Sequence, residues 1–138
     1  NKKQDIKIII TVDGDGQHQS KNIRRFFKLN KQYDCIIGSR NFFNRFSEIL
    51  VNFFSVIFFN IKDPLSGMKC YNTKIFKNNR FILKSKHDYC GMFFFKICDK
   101  KKIFSVDINV KKQNGKSSYG SGLNANVKII KSFVKSIL

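Results

Sequence analysis

One short run near the start of the chain limits the fold more than any other feature. Ile6 to Val12 is β-branched and almost wholly apolar, broken only by Lys7 and Thr11. That is the pattern of a strand buried in a parallel sheet. It stops at Asp13-Gly14-Asp15-Gly16, a cluster that favours a turn. A buried strand that hands two carboxylates to a turn suits a layered α/β protein, where ligands gather at the carboxyl ends of strands.

The rest of the chain keeps to that plan. Ser20 is placed to cap a helix with Ile23, Phe26 and Phe27 on its apolar face. Cys35 to Gly38 reads as a second strand, and Asn44 to Asn60 as a long, Phe-rich helix. Asp63-Pro64-Leu65-Ser66-Gly67 forms a turn into an extended piece, Met68 to Tyr71. Tyr89 to Lys100 predicts a helix, Ile103 to Val110 alternates like a strand, and Asn114 to Gly122 is a polar, glycine-rich loop. Leu123, Val127, Ile130, Val134 and Ile137 then recur at helical spacing.

The aromatic stripe from Phe42 to Phe59 is expected to face the core, since such stripes usually point inward. The alternative is an interfacial face that meets lipid. Lys128, Lys131 and Lys135 stand beside the apolar positions of the last helix. It caps the sheet as an ordinary amphipathic helix, or it rests on an anionic membrane surface.

The totals set bounds. A chain of 138 residues, 42% of them hydrophobic, suits one packed domain or part of one. The net charge of +18 favours anionic partners, although Lys is also abundant simply alongside Asn, Ile and Phe. The four cysteines form no CxxC pair and only two histidines are present, which argues against zinc and for reduced core thiols in a cytosolic setting. The most apolar stretch, Phe46 to Ile61, is interrupted by Ser47, Glu48, Asn52, Ser55 and Asn60. It falls short of the roughly 20 apolar residues that span a bilayer.

Asp13 and Asp15 carry the first chemical suggestion. Two carboxylates at a strand end suit a hard divalent cation, which could bridge the phosphates of a nucleotide sugar. Gly14 and Gly16 would let backbone approach the ligand, and Gln17 could add a neutral oxygen. The same residues also make a plain solvated turn.

Ile10 to His18, Ile-Thr-Val-Asp-Gly-Asp-Gly-Gln-His, resembles the metal-binding segment of family 2 glycosyltransferases of the polyprenyl- and dolichyl-phosphate sugar transferase type. Ile37-Gly38-Ser39-Arg40 is similar to that family's Gly-Ser-Arg motif, and Asp63 to Lys69 to its Asp-x-x-Ser-Gly-Phe-Arg motif. Asn114-Gly115-Lys116-Ser117 stands where the family has a looser Arg-x-x-Gly-x-Ser-Lys stretch, with Lys112 in place of the arginine and Ser118 in place of the lysine. Lysine keeps the charge and loses the bidentate fork to phosphate.

The resemblance implies an incomplete GT-A (nucleotide-diphospho-sugar transferase) fold, a mostly parallel sheet with flanking helices. Residues 1–121 would be the carboxyl-terminal part of that domain and 122–138 an amphipathic helix. It implies Mg2+ or Mn2+ and a nucleotide-sugar donor held by Asp13, Asp15 and Gln17, with a polyprenyl phosphate acceptor. Asp15, Arg40 and Asp63 would be catalytic. Ser39, Arg45, Ser66, Gly67, Lys112 and Lys116 would line the substrate, with no role for nucleic acid. The enzyme would sit peripherally on the cytoplasmic face of a membrane. The family's Pro-x-x-Asn-Glu-like segment has no counterpart before Asn1, so a fragment with little activity of its own and an exposed sheet edge is expected.

An ionised lipid phosphate attacks without a strong base, so positioning and charge neutralisation suffice. A saccharide hydroxyl would need a base. Asp63 and Asp88 are candidates, with His18 and His87 as weaker ones. Three rivals remain: a saccharide-extending transferase with the same donor site, a basic nucleic-acid-binding module, and an inactive remnant.

Overall fold

The structure is a computed structural model that describes residues 6–14, 16, 18–77, 79, 91–111 and 122–138. Four strands, β1 (Ile8–Thr11), β2 (Cys35–Ser39), β3 (Lys69–Asn72) and β4 (Ile103–Asp107), form one sheet in the order β1-β3-β2-β4. The helices are α1 (Ser20–Leu29), α2 (Phe46–Phe59), the single turns α3 (Lys74–Lys77) and α4 (Phe94–Ile97), and α5 (Leu123–Ile137). A 3-10 turn, Lys100–Lys102, leads into β4.

The sheet is mixed, which corrects the expectation of a mostly parallel one. Strands β2 and β4 pair parallel, while β3 lies between β1 and β2 and is antiparallel to both. The cause lies in the turn before β3. The Asp63 side chain is bonded to Arg40, just past the carboxyl end of β2. That contact pins the start of β3 to this end of the sheet, so the strand can only run back the other way. Strand β1 is correspondingly an edge strand rather than a fully buried one. Ile8 and Ile10 turn inward, while Ile9 on the other face is 42% exposed.

Alternation along the strands divides the core between the two faces. On one face Ile36, Met68, Cys70 and Val106 meet Phe26 of α1. On the other, Cys35, Ile37, Tyr71 and Ile103 meet Val51 of α2, Phe94 and Phe95 of α4, and Ile129 and Phe133 of α5. Gly38 belongs to the first face, and a β-carbon there would lie 2.7 Å from Cδ1 of Ile108 and 3.2 Å from Cζ of Phe26. Its side-chain absence is a packing requirement.

Helix α1 begins one residue earlier than a Ser20 cap allows. Gln19 holds the cap position and makes no side-chain cap bond, and Phe27 is exposed while Asn22 and Phe26 are buried. The expected Tyr89–Lys100 helix is reduced, within the described residues 91–100, to the single turn Phe94–Ile97, with Gly91–Phe93 and Cys98–Asp99 outside it. Tyr89, Cys90, His87 and Asp88 lie outside the described residues. The expected Ile103–Val110 strand ends at Asp107, and Val110 instead bridges His18. Cys35, Cys70 and Cys98 are buried free thiols. Burial pushes the Cys70 thiol up to about 11, and burial next to Cys98 raises Cys35 well above its ordinary value.

The largest departure concerns α2 and α5. The inward residues of α2 are Ser47, Glu48, Val51 and Ser55, whereas Phe46 is 68% and Phe53 56% exposed. The expected inward aromatic stripe is therefore largely an outward one. Helix α5 also departs from the expected stripe: Ala125, Ile129, Ser132, Phe133 and Ser136 are buried, and Leu123, Val127, Ile130, Val134 and Ile137 are exposed. No described helix is long and apolar enough to cross a membrane.

Candidate functional site

The carboxyl ends of β1 and β2 and the start of β3 lie at one end of the sheet. Arg40, the residue after β2, is fixed there by Asp63. Its backbone N–H donates to Oδ2 of Asp63 at 2.9 Å, its Nε to the same oxygen at 2.7 Å, and its Nη2 to Oδ1 at 2.9 Å. This is the bidentate fork that arginine makes with carboxylates. Two of the five guanidinium-group N–H donors are thus engaged by Asp63.

Asp63 is itself tightly held. It is 1% exposed, its backbone has φ of 47°, and its N–H donates to Oδ1 of Asn52 at 2.7 Å. A non-glycine residue in this left-handed region costs on the order of 1–3 kcal/mol. The hydrogen bonds from Arg40 and to Asn52 offset that cost and fix the chain reversal. Asn52 in turn is carried by α2, whose first turn supplies Glu48. One Glu48 oxygen accepts from Nη1 of Arg45 at 2.7 Å, and the other lies 3.8 Å from Nη2 of Arg40. Burial works against the Arg40 charge, but the Asp63 pair and the nearby Glu48 and Asp13 charges outweigh it and raise its pKa.

The end of β1 docks on the same turn. The Thr11 hydroxyl donates to the Gly67 carbonyl at 3.1 Å. The Asp13 carboxylate occupies the space where a β-carbon on Gly67 would stand. The first and third sequence motifs are thereby interlocked, and Gly67 is the residue that permits it. Buried Ser66 closes the turn: its N–H donates to the Asp63 carbonyl at 3.1 Å, and its hydroxyl accepts from the Met68 N–H at 3.3 Å.

Lys69 completes the cluster from within the sheet. Its Nζ donates to the Ser66 carbonyl and lies 5.6 Å from the centre of the Phe94 ring. Burial lowers its pKa from 10.5 to about 8, with the charges of Asp63 and Asp13 opposing the fall. Cations Arg40, Arg45 and Lys69 thus meet carboxylates Asp13, Glu48 and Asp63 at one strand-end surface.

Of the residues singled out from sequence, Asp13, Ser39, Arg40, Arg45, Asp63, Ser66 and Gly67 come to this end of the sheet. Asp15, Gln17, Lys112 and Lys116 lie outside the described residues. Three participants were missed: Glu48, Asn52 and Lys69. Their signal was a polar residue inside an apolar run, at Glu48 and Asn52 one helical turn apart and at Lys69 in a buried strand.

Asp63 and Glu48 are bonded to arginines, so Asp13 is the described carboxylate best suited to a divalent ion. Mg2+ binds through one or two carboxylates and fills its shell with water and phosphate oxygens, which Asp13 at an exposed turn fits. Among the described residues no three His, Cys, Asp or Glu side chains cluster as a metal site. No family model, curated protein or solved structure matches the chain.

Proposed function

We propose that this chain belongs to the family 2 glycosyltransferases of GT-A fold. In this reading it moves a sugar from a nucleotide-diphosphate donor to a polyprenyl phosphate, with Mg2+ or Mn2+. The observation that carries the proposal is the interlock of Asp13 with Gly67 beside the Asp63–Arg40 pair. Motifs far apart in sequence meet at the strand ends where an α/β protein binds its ligands. An acidic residue facing a donor and fixed arginines facing an acceptor suit a reaction between two phosphorylated partners.

Asp13, with Asp15 by resemblance, would hold the divalent ion, which when bound neutralises the departing diphosphate. Arg40 and Arg45 would orient the acceptor phosphate. Asp63 acts as the clamp that aims Arg40, and it already accepts three hydrogen bonds. It is therefore poorly placed to deprotonate a sugar hydroxyl. That favours an acceptor that arrives ionised over a saccharide acceptor.

Calorimetric titration of the full chain with farnesyl phosphate, and with a nucleoside diphosphate in the presence of Mg2+, tests both halves of the site. Binding of farnesyl phosphate should weaken at least tenfold in Arg40→Gln, and nucleotide binding should require the metal and Asp13. Unchanged lipid-phosphate binding in Arg40→Gln, or nucleotide binding indifferent to Mg2+, would overturn the proposal.

A further inference from the structure

Helix α2 turns Ser47, Glu48 and Ser55 inward beside Val51, and α5 turns Ala125, Ile129 and Phe133 inward, so each helix leaves a second set of apolar residues facing outward. Phe46, Ile49, Phe53 and Ile57 stand exposed along α2. An open apolar groove of about 520 Å³ runs between the helices, lined by Phe54 and Phe58 of α2 and Ile130, Val134 and Ile137 of α5. A contiguous apolar surface of this kind marks an interaction site.

The charges around it indicate what covers it. The only acidic residue in α2 is Glu48, which is buried, and α5 has none. Lys131 and Lys135 are exposed one turn apart on α5, beside its outward apolar residues. At the other side of the groove, Nζ of Lys100 sits 4.5 Å from the centre of the Phe59 ring, and Phe59 lines the groove. An apolar surface whose two helices expose lysines and no carboxylate, with Asp99 beside Lys100 turned to the Lys101 backbone N–H, matches the headgroup layer of an anionic bilayer. A second copy fits poorly, because pairing two such faces would bring both lysine rims together in a chain of net charge +18.

We infer that the α2–α5 face docks on an anionic membrane surface. The α2 phenylalanines enter the boundary between headgroups and acyl chains, the groove takes an acyl or prenyl chain, and Lys100, Lys131 and Lys135 meet lipid phosphates. This docking stands on the exposed face alone. One consequence rests on the transferase reading: the face begins at Phe46, next to Arg45, so a docked bilayer would present lipid phosphates at Arg45 and Arg40.

Co-sedimentation of the full chain with phosphatidylcholine vesicles, with and without phosphatidylglycerol, tests the inference. The chain should pellet with the mixed vesicles. Lys131→Gln with Lys135→Gln should weaken binding by roughly 25-fold, at about fivefold per lysine near an anionic surface. Phe53→Ser with Ile57→Ser should weaken it at least tenfold, with an unchanged thermal melt, because both side chains are exposed. Failure to pellet would overturn the inference. So would binding insensitive to the Phe53 and Ile57 changes, which would mean charge adsorption alone. A dimer dissolved by those same changes, without vesicle binding, would assign the face to a second copy. Farnesyl phosphate binding by Arg40 is read separately, so either conclusion can fail without the other.

Discussion

Replacing Lys69 with methionine should make the protein more stable and its site less able to hold an anion. Lys69 is buried inside the sheet, and its pKa falls from 10.5 to about 8. At about 1.4 kcal/mol per pH unit, that fall corresponds to about 3 kcal/mol of destabilisation while the lysine is charged in both folded and unfolded chains. The cost is fully present below pH 8. Between about 8 and 10.5 the unfolded chain keeps the proton that the folded chain has lost, so wild-type stability rises with pH through that window. Methionine has a similar length and no charge, so the variant lacks this rise. Urea unfolding followed by circular dichroism should show the variant more stable by up to about 3 kcal/mol at pH 7, a midpoint shift of roughly 1–2 M. The advantage should shrink toward zero by pH 10.5. The same variant should bind farnesyl phosphate more weakly, which would explain why a buried cation is kept at a cost in stability. A variant no more stable than wild type at pH 7, or equally stabilised at both pH values, would refute the reasoning.

Other positions give separate tests. Asp63→Asn leaves the Arg40 charge without its bidentate partner and should cost about 3–5 kcal/mol in chemical denaturation. Gly67→Ala puts a β-carbon where the Asp13 carboxylate lies. Because Asp13 is exposed, the melt should move little, while Mg2+-dependent nucleotide binding in calorimetry should fall sharply. Ser55→Ala removes a buried hydroxyl without a hydrogen-bond partner, and should raise stability by about 1 kcal/mol in urea unfolding.

Local chemistry made much of the scaffold legible. The turn clusters at Asp13–Gly16 and Asp63–Gly67 correctly bounded β1 and preceded β3, because Asp, Gly and Pro restrict the backbone within a few residues. Strand direction was not legible. The side chains of Lys69–Asn72 suit parallel and antiparallel pairing alike, and the Asp63–Arg40 contact that decides between them joins residues 23 apart. The site was legible where it rested on motif residues. It was hidden at Glu48 and Asn52, which act by holding Arg45 and the Asp63 backbone, and at Lys69, a motif residue to which no role was given.

The orientation of α2 and α5 shows why hydrophobic spacing alone can mislead. Periodicity identifies two faces of a helix and says nothing about which one meets the sheet. In α2 the choice falls to the polar side because its partners are already inside. Glu48 must reach Arg45 and Arg40, and Asn52 must reach the Asp63 backbone. Rotating the helix to bury Phe53 would pull both away, leaving Arg40 and Asp63 with a weakened network inside the protein. Losing partners for buried charges costs several kcal/mol, which opposes the roughly 1.5–3 kcal/mol that each outward phenylalanine or isoleucine would contribute on burial. The ion network at the strand ends and the outward aromatic face therefore belong to the same helix orientation. The interlocked site and the exposed apolar surface are two consequences of one helix orientation.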